Sequence, residues 1–285
     1  ALRKRIGDAA ARVGELRKLA EAEGAATAQP EAYAEAVERS RAAAKTRLPR
    51  SGRAVYGHLS VTGHRVPFRE RLHPRTRPAG NVGTARALPA NIGPFASIGG
   101  TTEKDRRDFV ALVKARKSPV IVMQTDDILV PEGLVRSATF RGVQMVPSRP
   151  VFTEQEHDFR TLGSDDAADM LQLARLTRPG PFAAKTYSLG DFIGIRIDGK
   201  LVAMAGQRMA FPGWIEISGV CVHPDYRDRS YARRLVTAMM EKINQLQAMP
   251  FLHTYADNVV AIKLYERLGF AVRTEVKIAE IAANI

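Results

Sequence analysis

One carboxylate stands out by its position. Glu216 interrupts an apolar, β-branched run, Trp214 to Val222, that reads as a buried strand. A charge there is costly unless it is paired or opens onto a cleft. Two uses fit. At a cleft, partial burial raises the carboxyl pKa. At the strand edge, the same residue forms a salt bridge, for instance with an arginine. The run stops at Pro224, which cannot donate to a ladder. A short turn, Arg227-Asp228-Arg229-Ser230-Tyr231-Ala232, then opens a helix. Free N–H groups at a helix N-terminus, the helix dipole and the charges of Arg227 and Arg229 together suit a phosphate.

The elements that must position these groups are legible from periodicity. The helix after the turn, Tyr231 to about Leu246, places Leu235, Val236, Met239, Met240, Ile243 and Leu246 on one face. Phe251 to Tyr255 reads as the next strand. Asn258 to Leu268 reads as a second helix, capped by Asn258 and ended by Gly269. On it Ala261 is small, and Tyr265 lies two turns beyond Asn258 on the same face. Upstream, Asp158 to Leu162 is expected as a strand. A helix capped by Ser164 and a short helical turn at Ser188 to Phe192 follow. The strands Phe192 to Ile197 and Leu201 to Met209 are joined by Asp198-Gly199, a hairpin signal. Phe270 to Arg273 and Val276 to Ile281 are expected to close the sheet.

The turn, with its preceding strand, resembles the acetyl-CoA motif of the GNAT superfamily of N-acetyltransferases: Arg or Gln, two free positions, Gly, a free position, then Gly or Ala. Ser230 stands where that pattern has glycine, which bears on cofactor affinity. A second stretch, Asn258-Val-Val-Ala-Ile-Lys-Leu-Tyr-Glu-Arg-Leu-Gly-Phe, is similar to the family's Asn, Ala, Tyr and Gly-Phe pattern. The order of elements in residues 151–285 is also that of the family.

The resemblance implies an α/β (α+β) fold: a mixed, mostly antiparallel sheet with two splayed central parallel strands and flanking helices. It implies that pantetheine pairs with the backbone of Val220, Cys221 and Val222. The diphosphate would sit on Arg227, Asp228, Arg229, Ser230, Tyr231 and Ala232, with Asn258 also touching the cofactor. Glu216 is implied as general base, and Tyr265 as donor to the departing sulfur. A phenol pKa of ~10 against ~8.5 for a thiol allows transfer in either direction. A backbone N–H of Val220 or Val222 would hold the oxyanion. Phe182, Tyr187 and Trp214 are either an apolar acceptor wall or core. His223 and His253 are read first as structural.

The chain has 285 residues and a net charge of +13. Between Arg41 and Pro89, eleven Arg and Lys face one acid, Glu70, so most of the excess is local. That segment reads first as a solvated linker, since no aromatic stacking platform accompanies it; nucleic acid is a weaker alternative. His58, His64 and His73 sit among these cations and are poor metal ligands, so no metal is expected. The single cysteine, Cys221, excludes an internal disulfide and fits a reducing, cytoplasmic setting. No apolar run spans a bilayer.

The expected organisation is a helical extension at 1–46 and a basic linker at 47–91. A small α/β unit at 92–150, with a helix capped by Thr102, precedes the GNAT domain at 151–285. The expected activity is transfer of acetyl from acetyl-CoA to a primary amine by direct attack in a ternary complex, with a homodimer among the expected partners. The alternative is a GNAT-fold binding module that has lost the chemistry and uses its basic segment to hold nucleic acid or an acidic partner.

Overall fold

The computed structural model describes residues 81–148, 159–211 and 213–284. The expected helices in 1–46, the linker as far as residue 80 and its three histidines lie outside the described residues. No helix among the described residues is long and apolar enough to cross a membrane.

Strands β1 (Asn81–Val82), β2 (Ala85–Ala87) and β3 (Ala96–Ser97) form a small antiparallel sheet. This corrects the expectation of an irregular linker up to residue 91. Ala85, Ala87 and Leu88 are buried, so this end of the segment belongs to the core. Helix α1 (Glu103–Arg116) starts as expected at Thr102, in a capping box. The Asp105 N–H donates to Thr102 Oγ1 at 3.2 Å, and the Thr102 N–H donates to Asp105 Oδ2 at 2.9 Å. Its buried face, Phe109, Leu112 and Val113, packs with Val120, Val122 and Ile281.

The remaining strands form one eight-stranded sheet. They are β4 (Val120–Gln124), β5 (Leu134–Pro147), β6 (Arg160–Leu162), β7 (Phe192–Ile197), β8 (Lys200–Phe211), β9 (Trp214–Val222), β10 (Met249–Tyr255) and β11 (Phe270–Ala283). Their order is β4-β11-β5-β10-β9-β8-β7-β6, and only β9 and β10 are parallel neighbours. Residues 92–150 therefore do not build a sheet of their own. β5 is inserted between β10 and β11, which carries the sheet across the boundary expected at residue 150. Gly142 to Met145 are all buried, as an internal strand covered on both sides must be. β11 is one strand with an irregularity between Val272 and Thr274, where two strands were expected.

Helix α2 (Ala167–Thr177) lies over β8 and β9. Asp166 rather than Ser164 secures its start, accepting from the Gly163 N–H at 3.1 Å and pairing with Arg160 and Arg196. Helix α3 (Tyr231–Gln245) buries Leu235, Val236, Met239, Met240 and Ile243 against Ile193, Ile217 and Leu252. Full burial of each such side chain is worth about 1.5–3 kcal/mol. Helix α4 (Val259–Arg267) adds Ile262 and Tyr265 to the same core. The β7–β8 turn has Asp198 and Gly199 both at positive φ, as a tight two-residue hairpin turn requires.

Candidate active site

β9 and β10 pair in parallel from Trp214↔Met249 to Ile217↔Leu252, and there the pairing stops. Beyond it β9 follows β8, with Cys221 opposite Met204 and Val222 opposite Ala203. β10 follows β5 as far as Tyr255 opposite Gly142. The divergence has a local cause in β9. Between Ser218 and Cys221 that strand advances three residues while β8 advances two. Gly219, in this bulge, has φ +63°, a conformation that glycine adopts without the Cβ penalty. An interior strand glycine is a bulge signal, and sequence reasoning passed over it.

The gap opens into a cleft of about 840 Å3, its mouth included. Ser218, Gly219 and Val220 form one edge, and His253, Thr254 and Tyr255 the other. Asn258, Ala261 and Tyr265 come from α4 and its cap. Arg178 to Pro181 form a lip, while Phe95, Ile121 and Met123 arrive from the N-terminal part. Of the expected pantetheine residues, Val220 lines the cleft; Cys221 and Val222 lie on the segment leading to the turn. The Cys221 side chain is buried with Met170, Leu173 and Phe192, and burial pushes its thiol up to about 12. Of the proposed wall, Phe182 packs edge-on to Phe192 at 5.8 Å, whereas Trp214 is core, against Phe251.

Past β9 the chain makes one 3-10 turn, Pro224–Tyr226, and reaches Arg227. Asp228 and Ser230 are both left-handed, each at φ 61°. The first helical hydrogen bond of α3 runs from the Arg234 N–H to the Ser230 carbonyl at 3.0 Å. The amides of Tyr231, Ala232 and Arg233 precede it, and the Ser230 side chain caps none of them. Arg227 and Arg229 are exposed beside them, with the Arg229 guanidinium over the Tyr226 ring at 5.2 Å.

Serine in this position adopts the conformation in which the family pattern has glycine. The left-handed region costs a non-glycine residue about 1–2 kcal/mol, part of which the looser unfolded state of a glycine variant takes back. Ser230→Gly should therefore raise stability by about 0.5–1 kcal/mol, read as a higher urea midpoint at unchanged slope. A lower midpoint would show that the serine hydroxyl has a stabilising role.

Asn258 caps α4 as expected, its Oδ1 accepting from the Ala261 N–H at 3.2 Å. Tyr265 is 7% exposed, and its hydroxyl has no protein hydrogen bond among the described residues. Burial pushes the phenol up to about 12.

Glu216 departs from expectation in a specific way. Its side chain is fully buried, and Arg208 grips both oxygens: Nε donates to Oε2 at 2.9 Å and Nη2 to Oε1 at 2.5 Å. Burial alone would raise the carboxyl, but the Arg208 charge and hydrogen bonds, with help from His253, overcome it and hold the group at about 2. The raised pKa expected of a general base is thus reversed. Arg208 was not singled out from the sequence, although an arginine interrupting an apolar strand carries the same signal as Glu216. It lies where β8 bulges against β9, between Gln207 and Ala210.

The pair extends into a buried network. His253 Nδ1 lies 2.7 Å from Glu216 Oε1, and its Nε2 lies 3.1 Å from Gln144 Nε2. Arg273 donates to Gln144 Oε1 at 2.7 Å. An arginine can only donate, so Gln144 turns its oxygen to Arg273 and its NH2 to His253. His253 Nε2 must then accept, and its Nδ1–H donates to Glu216. His253 is a satisfied buried histidine in one neutral tautomer, and it also lines the cleft.

Residues 154–270 match the model of the acetyltransferase (GNAT) family. Among solved structures, one protein from Novosphingobium aromaticivorans DSM 12444, assigned to the GNAT family of acetyltransferases, is 32% identical. The match covers 72% of this chain and 92% of that one, with a TM-score of 0.66. A GCN5-related N-acetyltransferase from Kribbella flavida is 12% identical over 73% of this chain and 90% of its own, with a TM-score of 0.48. The ribosomal-protein-S18-alanine N-acetyltransferase from Escherichia coli is 20% identical over 44% of this chain and 92% of its own, with a TM-score of 0.37. No curated protein matches the chain. Fold, family model and the first of these relatives agree: the chain belongs to the GNAT family of acetyltransferases.

Proposed function

We propose that the protein transfers an acetyl group from acetyl-CoA to a primary amine, by direct attack of the amine in a ternary complex. The observation that carries this reading is the single cleft that joins the opened β9 and β10 edges to Tyr265 and Asn258. The residues fit the cosubstrate. The free amides of Tyr231, Ala232 and Arg233, with Arg227 and Arg229, would hold a diphosphate. The backbone edge at Ser218 to Val220 would pair with the pantetheine amides, and small Ala261 leaves room beside Asn258. Acetyl-CoA supplies a thioester carbonyl open to nucleophiles.

Tyr265 then donates a hydrogen bond to the departing sulfur. With its phenol near 12, full transfer to a thiolate of pKa ~8.5 is uphill, so a proton it releases must be replaced from the attacking amine. Glu216 acts by position: it stays ionised, neutralises Arg208 and fixes the His253 tautomer. Cys221 is too buried and too weakly acidic to serve as an acyl carrier, which supports direct attack. Left-handed Ser230 keeps the turn that a glycine would make, which supports a cofactor-competent motif over the binding-module alternative.

Acetyl-CoA at a hundred times its dissociation constant should stabilise the protein by ~2.7 kcal/mol, and thiol release should depend on an added amine. Neither response would leave a fold without this reaction. Arg227→Ala should weaken acetyl-CoA binding by about three- to tenfold, the range for an exposed charge-assisted contact, as measured by calorimetry. Unchanged affinity would remove Arg227 from the phosphate site.

A further inference from the structure

The cleft has a second half that residues 154–270 do not build alone. Ile121 and Met123 of β4 line it, together with Ile278 of β11 and Tyr255 of β10. The registers place these side chains on one face. Met123 is opposite Ile278, and Ile278 is opposite Phe140. Tyr255 is opposite Gly142, two residues from Phe140 on the same strand and therefore on the same face. The Phe140 and Tyr255 rings meet at 5.7 Å. Four adjacent strands thus present a continuous apolar shelf, with Phe140 42% exposed at its outer end. Its inner end reaches the cleft beside His253, on the sheet face opposite the α3 and α4 core. The charged residues lining the cleft are Arg178 and Arg208, both cations, and the Glu216 carboxylate beneath is already held by Arg208.

We propose that this shelf is the acceptor subsite and that it takes a small primary amine with an apolar, aryl or branched-alkyl body and no second positive charge. This rests on the acetyl-transfer reading above. Apolar surface selects the body by the area it removes from water. With Arg208 neutralised by Glu216, the Arg178 cation at the lip is what disfavours the second ammonium of a diamine. The amine nitrogen attacks the thioester carbonyl, a C–N bond forms, the C–S bond breaks, and the amine proton ends on the thiolate. The products are the amide and free CoA.

The test is thiol release from acetyl-CoA with 2-phenylethylamine and 3-methylbutylamine, set against 2-aminoethanol and 1,4-diaminobutane, with acetyl-CoA binding measured separately by calorimetry. The expected result is a kcat/KM about tenfold or more higher for the two apolar amines, in the range that one or a few buried methylenes provide. Met123→Gln and, at the exposed end of the shelf, Phe140→Ser should each reduce that preference severalfold with acetyl-CoA affinity unchanged. If acetyl-CoA binds but the polar amines react as well or better, or if neither variant changes the preference, the subsite assignment is overturned while the acetyltransferase reading stands. If acetyl-CoA does not bind, both fall.

Discussion

Tyr265→Phe is expected to lower kcat about a hundredfold while leaving the acetyl-CoA dissociation constant within about twofold. The magnitude follows from general-acid or hydrogen-bond assistance to a leaving group, typically worth ~10²–10⁴. The split between kcat and affinity follows from structure. The ring is buried against Phe270, with centroids 6.2 Å apart, so phenylalanine keeps the packing and removes only the hydroxyl of a residue that lines the cleft. Because burial pushes the phenol up to about 12, Tyr265 stays protonated throughout the usable range. An alkaline fall in wild-type activity below about pH 10 therefore has another origin. Single-turnover thiol release is the measurement. A variant that releases CoA at the wild-type rate would show that Tyr265 only packs against the sheet.

The second large effect is on stability. Glu216→Gln leaves Arg208 charged, 11% exposed and without its carboxylate, and weakens the acceptor of the His253 Nδ1–H. Breaking a buried pair from one side costs about 3–5 kcal/mol, which is comparable to the whole stability of a marginal domain. Chemical denaturation should show this loss. The wild-type pair also has a pH signature. Its folded carboxyl sits at about 2, below the ordinary glutamate value of 4.5. A depressed folded value means that the unfolded state binds the proton more readily. The stabilisation is therefore complete above about pH 4.5 and is lost as pH falls toward 2, and it should be on the order of 3 kcal/mol. Glu216→Gln should flatten this acid limb. Denaturation midpoints between pH 5 and 2.5 that fall equally for both proteins would mean that other carboxylates dominate.

The Glu216 result shows where sequence reasoning stops. An isolated carboxylate in an apolar strand announces that something compensates it, but the compensating partner is set by strand pairing. Arg208 is eight residues away across a hairpin whose bulges decide which side chains meet. His253 and Gln144 join through two further strand pairings, β9 with β10 and β10 with β5. A base with a raised pKa and an ion-paired structural anion are equally compatible with the one-dimensional pattern. The difference of sign comes from the Arg208 charge and from the hydrogen bonds of Arg208 and His253, which only the folded sheet brings to Glu216.

What the residues determined alone is local. Apolar periodicity produced α3 with its buried face, Thr102 and Asn258 fixed two helix starts, and Asp198-Gly199 fixed a hairpin. The turn at Arg227 to Ala232 announced the start of α3. Each depends on contacts within a few residues, so the linear order carries the information. The tertiary structure decided what depends on distant segments meeting. It placed β5 between β10 and β11, opened β9 from β10 beside Gly219, and brought Phe95, Ile121 and Met123 to the cleft from outside the family-matching region. It also clamped Glu216 with Arg208. A register shift of one residue reverses every side chain of a strand, and no local pattern encodes the register between segments more than a hundred residues apart.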